Sequence, residues 1–179
     1  RKLANPEKAK LLQRFFKTGP GEYAEGDVFL GIAVPEQRKV AKKYWQIISL
    51  KDTQKLLDSK IHEHRLTALI MLIQKYKKAK KDKYKKLEIH EFYLKNTNRI
   101  NHWDLVDISS GSIVGDYALK DGDQIIRFLA KSKNMWERRI AIIATGTFIK
   151  KKNFGTTLAV ADMLINDEHD LIHKAVGWM

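Results

Sequence analysis

The sequence predicts an all-α protein assembled from stacked helix pairs, and three observations carry that prediction. Apolar residues recur three and four apart through most of the chain, as at Leu66, Leu69, Ile70 and Ile73; this is the one-sided period of an amphipathic helix. No stretch alternates apolar and polar residues convincingly, as a half-buried strand does. Four segments open polar or basic and turn small and apolar: EHRLTALIML, HWDLVDISSG, ERRIAIIATG and IHKAVGWM. Aligned on Ala68, Val106, Ala141 and Ala175, they fall at intervals of 38, 35 and 34 residues. That is the period of paired-helix repeats, in which each pair buries its apolar face against the next.

The elements follow in order. A first helix over 6–17 is closed by Gly19-Pro20-Gly21, and a second covers 35–48 as far as the capping residue Ser49. Helices over 53–59 and 62–78 come next, then 83–95, which Asn98 separates from 103–119. The breaker Asp121-Gly122-Asp123 precedes 123–130, and Asn153 separates 135–150 from 156–165. Asn166-Asp167 leads into a last helix from 170 to the end. A length of 179 residues suits one domain, 1–179, with a sizeable core.

Composition excludes several classes. No apolar run reaches the roughly 18 residues of a membrane span, and RKLANPEKAK lacks a signal-peptide core, so no membrane partner is expected. Without cysteine there are no disulfides or thiolate metal sites, and the location is read as cytoplasmic and intracellular. The charge is the positive clue. Thirty-four Lys and Arg against 21 Asp and Glu leave +13, an excess that attracts polyanions, nucleic acid foremost. Residues 75–86, KYKKAKKDKYKK, hold eight lysines. They read either as a solvated loop or as a phosphate-contacting edge in which Lys77, Lys78, Lys80 and Lys81 bind DNA.

Trp103 and Asp107 lie four apart and share a helix face. Structural roles exist for both types, a core Trp and an N-terminal Asp, but Asp104 is the better first-turn acid and leaves Asp107 less explained. Trp136-Glu137-Arg138-Arg139 opens another repeat helix, where one arginine is expected to meet an acid on the same or the adjacent repeat. On a wheel zeroed at the aligned positions, Trp103, Asp107 and Arg139 fall at about 60°, 100° and 160°, within one arc. Trp178 falls about 120° from Trp103, on another face. His62-Glu63-His64 and His169/His173 have spacings a metal accepts but no companion ligands, so neither metal nor cofactor is expected. Ser109, Ser110 and Ser112 sit in no nucleophile elbow.

At these residues the sequence resembles the AlkD-type DNA alkylation-repair glycosylases. The anchors are FFKTGPGEYAEGDVFLGIAVPEQRKVAKKY, NHWDLVD, WERRIAI and IHKAVGWM, in that order over almost the whole chain. The resemblance implies a HEAT-like superhelix with a concave basic groove. It implies a catalytic set of Asp107, Trp103, Arg139 and Trp178 around the lesion's deoxyribose, with Tyr23 toward the DNA; Arg138 is a further DNA-binding candidate. The implied reaction is monofunctional hydrolysis of the glycosidic bond of cationic N3- or N7-alkylated purines in duplex DNA. A monomer without an obligate protein partner, acting at the nucleoid, completes the expectation. Family members continue past the position of Met179, so the chain is expected to lack their C-terminal helices. The competing readings are a HEAT-like module that grips nucleic acid without cutting and a protein scaffold, which would not need +13.

Overall fold

The structure, a computed structural model, describes residues 3–179. The regular secondary structure of the described residues is helical, apart from one isolated parallel bridge between Val28 and Ile61, and turns and loops join the helices. The chain divides into two compact units, one ending at Lys75 and one running from Tyr76 to Met179.

The first unit holds α1 (Pro6–Phe15), α2 (Val34–Tyr44), α3 (Leu50–Leu57) and most of α4 (His62–Lys78). Local chemistry sets the starts. The Asn5 side chain accepts the Lys8 N–H at 3.0 Å with Pro6 in the first turn, and Ser49 accepts the Asp52 N–H at 3.0 Å. The helix expected over 35–48 ends at Tyr44 and passes into a turn in which the Ile47 and Ile48 amides share the Tyr44 carbonyl. The loop before α2 is fastened by α4: buried Glu63 accepts the amides of Leu30, Gly31 and Ile32 at 2.8–3.2 Å. Gly31 sits at φ 76°, and a Cβ there would meet the Asn5 carbonyl at 2.1 Å, so only glycine fits. Phe29 stacks on Phe16 (5.1 Å) and on the His62 ring (4.5 Å), and those two rings also lie 5.5 Å apart. Beside them His62 and Arg65 both bond buried Asp27. Burial pushes the Asp27 carboxyl up, but the His62 hydrogen bond and the Arg65 charge outweigh it and hold it below the ordinary range.

The second unit continues with α5 (Lys83–Lys95), a 3₁₀ turn Thr97–Arg99, α6 (Trp103–Ser110), a π turn Gly111–Gly115 and α7 (Asp116–Asp121). It closes with α8 (Gln124–Ala130), α9 (Met135–Ala144), α10 (Gly146–Ile149), α11 (Gly155–Leu164) and α12 (Asp170–Trp178). Its centre is α9, which buries Trp136 and everything from Arg139 to Ala144 against α6, α8, α11 and α12. The repeat register holds: Ala68, Val106, Ala141 and Ala175 are each at most 1% exposed.

Two expected helices are subdivided. The one over 103–119 opens into a π turn at Gly111, where Thr147 Oγ1 donates to the Gly111 carbonyl at 2.7 Å and supplies a partner from another helix. The one over 135–150 breaks at Thr145, whose hydroxyl and amide both fold back onto the Ile142 carbonyl. Gly115 lets these segments close: a Cβ there would lie 2.4 Å from the Ala144 carbonyl and 2.7 Å from Thr147 Oγ1. Gly115→Ala is therefore expected to destabilise the second unit by about 1–3 kcal/mol, read as a lower urea midpoint. An unchanged midpoint would mean that α10 yields freely.

Candidate active site

The site grows from the start of α6. His102 caps the helix, its Nδ1 lying 3.5 Å from the Asp104 N–H and 2.7 Å from the Asp104 carboxylate. Asp104 is thus the first-turn acid, and Asp107, one turn on, is left for another partner. That partner is Arg139 of α9. Its Nε donates to Asp107 Oδ1 at 2.9 Å and its Nη2 to Oδ2 at 2.8 Å, a bidentate fork. Its Nη1 donates to the Leu171 carbonyl of α12. One buried guanidinium so joins α6, α9 and α12, three of the helices that the repeat aligns. Burial lifts the Asp107 carboxyl above its ordinary value, and the hydrogen bonds and charge of Arg139 oppose that lift without cancelling it.

Asp107 opens onto a cleft of about 760 Å³. Trp178, at the end of α12 and 64% exposed, lines the same cleft, with Lys77, Lys86, Asp116 and Lys150. The helical wheel set Trp178 apart from Asp107; the tertiary placement of α12 brings them into one wall. Trp103 lies half-buried at the head of α6, its ring 5.6 Å from that of His102, and is not among the lining residues. Arg139 stands behind Asp107 rather than in the wall.

The family model for DNA alkylation repair enzymes matches residues 1–179. The chain belongs to this family. A solved structure described as a predicted DNA alkylation repair enzyme from Enterococcus faecalis shares its fold, with a TM-score of 0.72. The two are 19% identical, over 98% of this chain and 80% of that one. No curated protein matches. The all-α fold expected from periodicity is the fold of this DNA alkylation repair relative, and no helix among the described residues is long and apolar enough to cross a membrane.

The remaining candidates of this repair-family member separate by what they touch. Arg138 forks onto Asp167 at 2.5 and 3.1 Å and donates to the Ser132 and Lys133 carbonyls. Lys77 reaches the cleft, while Lys78 at the end of α4 and Lys80 and Lys81 in the turn after it stand exposed. Tyr23 lies half-buried in a turn of the first unit. Of the histidines, His62 meets Asp27, His64 meets Ser59, and His169 caps α12. Ser109 and Ser110 are buried and donate to the α6 carbonyls of Leu105 and Val106. Sequence reasoning missed Asp116 and Lys150 and did not single out Lys86 within the basic run. The Lys86–Asp116 pair spans 30 residues and two helices, so no spacing rule points to it.

Proposed function

We propose that this member of the DNA alkylation repair family is a monofunctional glycosylase that hydrolyses the N-glycosidic bond of cationic N3- or N7-alkylated purines in duplex DNA. The observation that carries the reading is a fixed carboxylate, Asp107, held by a buried bidentate arginine at the wall of a lysine-lined cleft. A purine alkylated at N3 or N7 already carries positive charge. As the C1′–N bond breaks, its electron pair neutralises the base, which needs little acid help to leave. The demand falls on the oxocarbenium ion that develops at the sugar. A carboxylate placed beforehand meets that charge without reorganisation. The fork uses one lone pair on each Asp107 oxygen, and each oxygen retains another, available to orient water toward C1′ and take its proton. Trp178 offers an exposed aromatic face to the cationic base or sugar. Trp103, a turn before Asp107, shapes the head of the same helix.

The test is release of methylated purine from alkylated duplex DNA, measured in a single turnover with uncatalysed depurination subtracted. Release supports the reading. No release with salt-sensitive duplex binding intact would leave a binding module instead. The exposed lysines carry a separate expectation: Lys78→Gln with Lys81→Gln lowers the slope of log K against log salt by about 1–2. An unaltered slope would make these two lysines merely solvated.

A further inference from the structure

We propose that Lys77, Lys86 and Lys150 form a seat for the phosphodiester beside the damaged nucleotide, and that Tyr76 and Asp116 are positioning residues that hold Lys86 in it. The proposal rests on the glycosylase reading for the identity of the nucleotide, and on the geometry of the cleft for the seat.

Three lysines from three separate places, the end of α4, α5 and the end of α10, line the cleft that holds Asp107. Of the four lysines that the basic run first nominated, only Lys77 lines it. Lys86 differs from a solvated lysine: its side chain is only 13% exposed. Its Nζ donates to Asp116 at 2.7 Å and lies 4.4 Å from the centre of the Tyr76 ring. Asp116 is itself fixed, accepting from Tyr76 Oη at 3.1 Å and from Lys120 at 3.0 Å. Lys86, Lys120 and Asp116 together retain one positive charge. An ammonium has three donors, and a single bond to Asp116 leaves Lys86 able to donate to an anion in the cleft.

The chemistry of DNA supplies that anion. A sugar brought to Asp107 carries a phosphate on either side, so a phosphate enters the same cleft. An anionic phosphate close to an anionic carboxylate repels it. Cations in the cleft offset that repulsion and fix which sugar stands opposite Asp107. A lysine immobilised by an aromatic ring and a carboxylate loses side-chain freedom that a loosely paired surface lysine keeps, which suits a group that sets register.

The experiment is binding of a duplex carrying one tetrahydrofuran abasic-site analogue, with a single neutral methylphosphonate placed in turn at each phosphate flanking that site. For the parent, one flanking position is expected to weaken binding about tenfold. In Lys86→Gln the same replacement should cost little, and the salt slope should fall by about 0.9. Lys77→Gln, the loss of an exposed side chain, should show the same reduced sensitivity without any burden on folding. Lys86→Arg should restore the parent's response, and Asp116→Asn should lose part of it. Equal loss in the parent, Lys86→Gln and Lys77→Gln at every position would overturn the seat, as would a parent indifferent to all of them. Base release is not read here. A seat without release removes the glycosylase reading alone, and release without coupling removes the seat alone.

Discussion

Asp107→Asn is expected to slow purine release at least tenfold, about 1.4 kcal/mol of barrier, while duplex binding changes little. Asparagine keeps the shape and loses the charge that meets the oxocarbenium ion. The cleft lysines that attract DNA are untouched. The fork adds a second consequence. An amide offers one acceptor oxygen where Arg139 presents two donors, and Arg139, 5% exposed, keeps its charge without a counter-charge. Removing one partner of a buried pair costs about 3–5 kcal/mol; Asp107 retains 17% side-chain exposure, which places this loss at the lower end. Rates are therefore compared per folded molecule, with melting followed alongside. The pH profile separates the two effects. Release should fall with acidity as Asp107 takes a proton, on a limb lying above the ordinary carboxylate range because burial lifts the group. That limb should vanish in the asparagine variant. A variant that melts earlier yet releases base at the parent's rate would reduce the Asp107–Arg139 pair to architecture.

Much of this was legible in the sequence because helical burial is periodic. The aligned Ala68, Val106, Ala141 and Ala175 are core positions, and Ser49 caps the helix that follows it. The limits of α4 and α5 agree with the pattern, since apolar period and polar joints act together there. The π turn was not legible. Gly-Ser-Ile-Val-Gly keeps a helical apolar spacing, and what opens the turn is a threonine hydroxyl 36 residues away. The binding of the loop at residues 30–32 to Glu63 is likewise a long-range event.

The site divides along the same line. An arginine of the Trp136–Arg139 segment was expected to meet a carboxylate of its own or the adjacent repeat, and both arginines do: Arg139 on Asp107 and Arg138 on Asp167. Charge alone does not say which acid each arginine meets; the packing of the helices decides that Arg138 forks onto Asp167 and Arg139 onto Asp107. The place of Trp178 escaped the helical wheel for a related reason. A wheel relates residues by their own helix, and the cleft is set by the packing of α12 on α9.

The largest expected loss of stability lies in the first unit, at Asp27. Asp27→Asn leaves Arg65 charged and 5% exposed without its counter-charge: the amide oxygen can still accept one of the bonds that Arg65 and His62 now make to the carboxylate, and the Ser59 carbonyl offers Arg65 only a long contact at 3.4 Å. Breaking such a pair costs about 3–5 kcal/mol, a large part of the 5–15 kcal/mol that holds a typical domain. Hydrogen exchange of the α4 amides from Leu66 to Ile73 should report it locally, with opening rates raised by orders of magnitude. The pH dependence has a definite sign. Asp27 titrates below the usual 3.8 in the folded protein, so its contribution is present above the unfolded value and is lost as pH falls through the lower, folded one. The parent should therefore lose α4 protection on acidification below that range, and the asparagine variant, already weakened at neutrality, should lack this component. Full protection in Asp27→Asn at neutral pH would mean that packing of Phe16, Phe29 and His62 suffices to hold the loop, and that the buried pair contributes specificity rather than stability.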